Sequence, residues 1–348
     1  MSSKQRTITI KDIARKAGVS IATVSRATNP DIRSLVADET LQTIDEAIRQ
    51  LGYTPNLAAR NLRATRCKTL GVLIPHIPNV FVSDYHAKIF SGISNALLDS
   101  GYRFKLIAFK PDPGAFDKYP FRSAEGIDGL ILTYWPMFFS KKSILEKLDL
   151  PVVIVNDPED DMHAHFVAGD SVQGAQLAAK YLYEKGHRRV AILAGNERSS
   201  DSRTRVETFR KFYEKAGVKI SSDFILRGNF EEEDAYRATG WIDLKKDRIT
   251  AVFCCNDDMA YGVLRRLRES GLSSPEDVSV IGFDDNGRSP HTEPPLTTVR
   301  VPVSKLGESA VRTLLAFLRG DYEGKFYYGR TVLPVSLIER GSVRKIGK

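Results

Sequence analysis

Three polar residues stand beyond runs of apolar sequence. Asn256 follows "AVFCC", Asp284 follows "VIGF", and Arg203 lies beyond "AILAG". An arginine donates through a planar fork, an aspartate accepts and an asparagine does both. In open α/β sheets ligands bind beyond the carboxyl ends of the strands, which is where these side chains stand. Simpler roles exist for their neighbourhood. Asp257 can cap the helix that follows it, and Asp284 can anchor a chain crossing. A second group lies in "TIKDIARKAGVSIATVSRATNP", residues 9–30, where several hydroxyls accompany Arg26. An arginine pairs bidentately with guanine O6 and N7, and hydroxyls suit phosphate oxygens. Catalysis has no visible counterpart: GxGxxG after a strand, GxxxxGK[ST], GxSxG and HExxH are all missing, and the histidines lack metal-ligand spacing. Neither enzymatic activity nor a cofactor or metal is expected.

The charge is unevenly spread. Twelve Lys and Arg lie at or before Lys68 against six Asp and Glu, out of 51 and 43 in the whole chain. Positive charge concentrated in one-fifth of the chain fits a phosphate backbone. The chain has 348 residues, 42% hydrophobic and 27% charged, which suits a globular protein of two or three domains. No apolar run approaches the roughly 20 residues of a membrane helix, and "MSSKQRTITI" has no apolar secretory core. The three cysteines make neither a disulfide framework nor a zinc site. A cytoplasmic location is expected.

The elements that must position these residues follow from periodicity. Thr9 caps a first helix, with Asp12 three residues on in a capping-box arrangement, and Gly18 permits the turn. Ser20 caps a second helix, Ile21 to about Thr28, which Asn29–Pro30 stops. A third, about Asp38–Leu51, carries Leu41, Ile44, Ile48 and Leu51 on one face and ends at Gly52. Pro55 then breaks the chain, and Asn56 can cap a basic helix over Leu57–Arg63, too short to be stable alone. From Thr69 strand and helix alternate. "TLGVLIP", "YRFKLIAF", "GLILTY", "PVVIVN", "RVAILAG", "AVFCCN" and "VSVIGFDD" are the strand candidates, with a helix from about Asp84 to Ser100 among those between them. Such alternation predicts parallel sheets with helices on both faces. Two series of units suggest two lobes, and "HTEPPLTTVRVPV" reads as a crossing segment rather than an element.

At this point the residues resemble the lactose/galactose repressor (LacI/GalR) family. "TIKDIARKAGVSIATVSRATN" is similar to its helix-turn-helix, "LGYTPNLAARNL" to its hinge, and "YLYEKGHRRVAILAG", "AVFCCNDDMAYGVLRRL" and "VIGFDD…PPLTTV…LIERGSV" to its core. The likeness runs over about residues 7–345. It implies an all-α helix-turn-helix head over 1–55, a hinge over 56–67, and over 68–348 an α/β two-lobed core like periplasmic binding proteins. One lobe would take about 68–168 and 301–331, the other about 169–300 and 332–348.

The resemblance also implies roles. Ile21, Ala22 and Arg26 would face base edges in the major groove. Thr9, Ser20, Thr23, Ser25 and Asn29 match phosphate-contacting positions. Leu62 would wedge into a central base step from the minor groove, with Asn56, Ala59 and Arg63 beside it. In the core, Arg203, Asn256 and Asp284 would bond an effector, with Phe81 and Phe230 near aromatic pocket positions. The implied protein is a homodimeric transcriptional repressor of a pseudo-palindromic operator, controlled by a small ligand. A sugar comes first as that ligand, with sugar acids and nucleobases open. The rival is a stand-alone sugar-binding protein, against which the basic head argues. One departure is a loop, "PDIRSL", longer than the family spacing. It leaves the role of Arg33 open, and Ala37 stands where a Ser cap is more usual.

Overall fold

In the computed structural model the described residues are 8–28, 32–53, 67–75, 81–109, 121, 125–133, 148, 150–158, 164–321 and 329–347. Asn29, Asn56, Ala59, Leu62 and Arg63 lie outside them. The chain divides into two compact units, 1–67 and 68–348.

The first unit is built from α1 (Ile10–Ala17), α2 (Ile21–Ala27) and α3 (Asp38–Leu51). The capping box at Thr9 and Asp12 is present, and Gly18 at φ 68° ends α1 in the left-handed conformation. Ile13, Ala14, Val24, Ala27, Val36, Ile44 and Ala47 are buried together. Apart from Val36 in the loop before α3, they sit at helical spacings, so one stripe of each helix meets the others. The longer loop has a definite job. Arg33 Nη1 donates to the Ala27 carbonyl at 2.6 Å, and Nη2 reaches Asp45 Oδ2 at 2.5 Å. It therefore ties the end of α2 to α3. Ala37 makes no side-chain cap on α3.

The second unit holds two six-stranded sheets. The first contains β1 (Thr69–Pro75), β2 (Arg103–Phe109), β3 (Gly129–Leu132), β4 (Val152–Val155), β5 (His165–Gly169) and, from late in the chain, β11 (Gly329–Leu333). Its order is β11-β5-β4-β3-β1-β2, with all pairs parallel. The second contains β6 (Val190–Ala194), β7 (Ile225–Arg227), β8 (Ala251–Cys254), β9 (Ser279–Asp284), β10 (Thr297–Arg300) and β12 (Ser336–Ile338). Its order is β12-β10-β9-β8-β6-β7, parallel except where β10 meets β12. The chain thus passes between the sheets three times: after β5, after β10 and after β11.

Helix α4 (Asp84–Leu97) packs against α9 (Val303–Arg319) over the first sheet. A Cβ on Gly92 would collide with the Ser304 carbonyl, and one on Gly307 with that of Ile89. Glycine is what lets the two backbones approach. On the second sheet α5 (Ser171–Glu184) pairs with α6 (Ser200–Lys215), and α7 (Glu232–Thr239) with α8 (Asp257–Glu269). Among the described residues no helix is long and apolar enough to cross a membrane.

Sequence patterning needs correction at the short strands. β10 runs through the proline-rich segment read as a crossing, and it pairs in parallel with β9. The segment is both: Thr297, Thr298 and Val299 are buried strand, and the crossing follows. β5, β7, β11 and β12 are likewise absent from the strands that the sequence announces. They are short, and β7, β11 and β12 are only partly buried, so no continuous apolar run marks them.

Candidate functional site

The outward face of α2 is the head's candidate reading surface. Ser20 Oγ accepts from Thr23 N at 3.1 Å, so the hydroxyl caps α2. Val24 and Ala27 point into the core. At 3.6 residues per turn that leaves Ile21, Ala22, Ser25 and Arg26 outward, and all four are exposed. Ile21 keeps 39% of its surface accessible, unusual for so apolar a side chain. Among the described residues no acid pairs with Arg26. Thr9 and Ser20 both serve as caps, and Thr23 Oγ1 lies 2.8 Å from Ser20 Oγ. The hydroxyls are therefore ordered at the starts of α1 and α2.

In the core a polar group, buried except for half-buried Tyr85 and Asn156, spans the two lobes. From the first come Tyr85 on α4 and Asn156 and Asp157 at the carboxyl end of β4. From the second come Ser171 on α5, Asp201 and Arg205 on α6, and Asp284 at the end of β9. Asn156 Nδ2 donates to the Tyr85 hydroxyl. Ser171 Oγ donates to Asp201 Oδ1 at 2.7 Å, and Arg205 Nε donates to Ser171 Oγ at 3.1 Å. Arg205 Nη1 donates to the Cys255 carbonyl at 2.6 Å and lies 4.0 Å from Asp284 Oδ1. Its guanidinium carbon sits 3.8 Å from the centre of the Phe283 ring, a cation–π contact. Burial raises the Asp284 carboxyl well above the usual range; Arg205 opposes this, and Asp257, Asp258 and Asp201 add to it. Burial also raises the Tyr85 hydroxyl, with the charge of Asp284 next.

The backbone is unusual at or just beyond the ends of β4, β7 and β9. Asn156 and Asp157 have φ of 69° and 46°, Asn229 and Phe230 51° and 68°, and Asp284 and Asp285 113° and 59°. Positive φ in bulky residues is costly and clusters at functional sites. Two further bonds join the lobes here: Gly287 N donates to Asp84 Oδ2 at 2.7 Å, and Lys88 Nζ donates to the Asp285 carbonyl at 2.9 Å.

The expected residues fare differently. Asp284 belongs to the group. Asn256 is buried and caps α8: its Oδ1 accepts from Met259 N at 2.9 Å, and its Nδ2 donates to the Phe230 carbonyl at 3.0 Å. The ring of Phe230 covers Gly195, where a Cβ would strike it. Phe81 is 62% exposed and lies near Phe90, apart from the polar group. Arg203 is exposed, and its Nη1 donates to the carbonyls of Glu197 and Arg198 at 3.0 Å each. The arginine that reaches Asp284 is Arg205. Asp257 is structural: it accepts from Asn286 N at 2.8 Å, Ser289 Oγ at 2.5 Å and Thr298 Oγ1 at 2.6 Å.

A usable signal for Arg205 existed. Asp201, Arg205, Phe209 and Tyr213 recur every four residues, and all are buried, so Arg205 shares a face with two core aromatics. Asn156 and Asp157 follow the apolar run "PVVIV" and so stand at a strand's carboxyl end, where such sheets bind ligands.

Comparison with known proteins bears on both regions. Residues 9–56 match bacterial regulatory proteins of the lacI family, and residues 179–343 match the periplasmic binding protein-like domain. An HTH-type transcriptional repressor PurR of Haemophilus influenzae is 33% identical over 339 residues, 97% of this chain and 99% of the relative. Its counterpart in Vibrio cholerae is 33% identical over 346 residues, 98% and 99% of the two chains. The lac repressor dimer bound to operator and the anti-inducer ONPF superposes with a TM-score of 0.81 at 25% identity, covering 97% of this chain and 100% of that one. The transcriptional regulator CelR–cellobiose complex gives 0.71 at 26% identity, covering 96% and 99%.

Proposed function

The chain belongs to the LacI/GalR family of bacterial regulatory proteins, and from that premise we propose that it is a ligand-controlled, DNA-binding transcriptional repressor working as a homodimer. It is a regulator rather than an enzyme, and it acts in the cytoplasm on operator DNA. The observation that carries this reading is the outward face of α2. Ile21, Ala22 and Arg26 are exposed on the second helix of a head that matches the lacI family over residues 9–56. In a helix-turn-helix this helix enters the major groove. Arg26 would pair with a guanine, while Ile21 and Ala22 offer only apolar contact, as to a thymine methyl. Thr9, Ser20, Thr23, Ser25 and Asn29 would bond phosphates. The hinge residues Asn56, Ala59, Leu62 and Arg63 would enter the minor groove at the centre of a pseudo-palindromic site.

The effector would occupy the inter-lobe cleft, bonded by Arg205 and Asp284, with Asn256 and Phe230 at its edge. Arg205, rather than the exposed Arg203, would donate to the ligand. A sugar-like ligand is the favoured class, supported by cellobiose in a structural neighbour 26% identical to this chain. Ligand binding would move the first lobe, and through it the hinge, by a coupling typically about 1–3 kcal/mol. The test is a thermal-shift screen of sugars, sugar acids and nucleobases on the full chain, followed by DNA titration with each hit. The reading expects at least one compound that raises the melting temperature and also changes affinity for duplex DNA. Hits that leave DNA affinity unchanged would contradict control through the cleft.

A further inference from the structure

If the cleft is the regulated site, as proposed above, its closure must be reversible, and one contact between the lobes is built from two acids. Asp157 lies two residues beyond the end of β4 in the first lobe and Asp201 in the first turn of α6 in the second; both are buried. They exchange backbone bonds. Asp157 N donates to Asp201 Oδ2 at 2.9 Å, and Asp201 N donates to Asp157 Oδ1 at 3.2 Å. Ser199 Oγ also donates to Asp157 Oδ1, at 2.5 Å, and Ser171 Oγ to Asp201 Oδ1. The backbone on the first-lobe side is left-handed at both Asn156 and Asp157. Such a conformation persists only where its surroundings hold it, and the bonds to Asp201 supply that hold.

Charge is poorly balanced around the pair. Arg205 on α6 is the cation that bears on it, and Arg205 is shared with Asp284 on β9, the Cys255 carbonyl and the Phe283 ring. Tyr85 on α4 brings a neutral hydroxyl, as do Ser171 and Ser199. Two carboxylates sharing a dry site cannot both ionise cheaply.

We infer that Asp157 and Asp201 form a proton-holding latch: the closed cleft carries a proton on Asp157 that the open cleft releases. Burial, then the charge of Asp201, pushes the Asp157 carboxyl up to about 7, against the bonds from Ser199 and the Asp201 backbone and the charge of Arg205. The sign follows from linkage. The pKa is higher in the closed form, so the contribution to closure is complete below the ordinary carboxylate range. It is lost progressively as pH rises to about 7, where Asp157 ionises against Asp201. Acid favours the closed cleft and a rise toward neutrality opens it. A repressor built this way senses its effector and the proton through one movement.

The test reads lobe separation on the full chain, without DNA or effector, so it stands whether or not operator control is found. Spin labels are placed on cysteines substituted for Leu98 in the first lobe and Trp241 in the second, which are 75% and 84% exposed. Half-buried Cys67 is changed to Ser. The inter-label distance is followed between about pH 5 and about pH 8, the span over which such a carboxyl titrates. The expected distance lengthens as pH rises, stays constant in Asp157→Asn, and in Asp201→Asn lengthens with a midpoint moved to lower pH. A constant distance in the parent chain, or an Asp157→Asn variant that keeps the parent's response, would overturn the latch. Should Asp157→Asn fail to fold, an unmoved midpoint in Asp201→Asn overturns it equally.

Discussion

Arg203 and Arg205 stand two residues apart on α6 and meet opposite surroundings. The guanidinium of Arg205 lies 3.8 Å from the Phe283 ring centre and faces Asp284, whereas that of Arg203 folds back to the Glu197 and Arg198 carbonyls on the exposed side. Two residues turn a helix by roughly 200°, so only one of the pair can look into the cleft. Removing the buried one strands Asp284 without its cation and takes a donor from Ser171 and the Cys255 carbonyl. Arg205→Met is expected to destabilise the fold by about 3–5 kcal/mol, as for a broken buried ion pair. Arg203→Met should change it by less than about 1 kcal/mol. Urea denaturation of both variants measures the contrast, and similar losses from the two would contradict it.

Asp257 tests the buried network on its other side. Its two oxygens receive the Asn286 N–H and the hydroxyls of Ser289 and Thr298. In Asp257→Asn one acceptor becomes an NH2 group facing donors. The expected cost is about 1–3 kcal/mol, the penalty for an unsatisfied buried group, read as a lower denaturation midpoint. A stability equal to the parent's would show that the three donors find other partners.

The reading helix makes a prediction about DNA. Arg26→Ala should cost about 1–3 kcal/mol on the preferred duplex and relax selection at one base pair only. Titration against single-base variants of the site checks it. A loss of equal size on every sequence would mark Arg26 as a phosphate contact instead.

Ser20 combines two roles, and they separate by experiment. Ser20→Ala removes the cap that accepts from Thr23 N and should lower head stability by about 1 kcal/mol. It should also weaken all duplexes alike while leaving base preference intact. Altered base preference in this variant would move Ser20 from the backbone to the bases.

Much of this arrangement was legible in the residues. The Thr9–Asp12 box, the Gly18 turn and the Ile44–Ile48–Leu51 stripe announce the head, because capping and helical period are local effects. Long apolar runs such as "AVFCC" and "VSVIGF" announce buried parallel strands for the same reason. β11 and β12 escaped because their register is set by partners far along the chain, β5 and β10. The inward side of α6, by contrast, is legible, since Arg205 stands four and eight residues before Phe209 and Tyr213, and Phe209 stacks on Phe253 at 4.5 Å. The cross-lobe bonds of Asp157 join residues 44 apart through two sheets, and no local pattern encodes them.

The central claim is that this chain recognises a particular DNA sequence through α2. Selection of duplexes from a randomised pool by the full chain, followed by titration of the winner against random duplex at fixed salt, tests it most directly. The account predicts a pseudo-palindromic site bound roughly 10³-fold or more tightly than random duplex, with the preference reduced at one position per half-site by Arg26→Ala. Recovery of no common sequence, or equal affinity for selected and random duplexes, would contradict it.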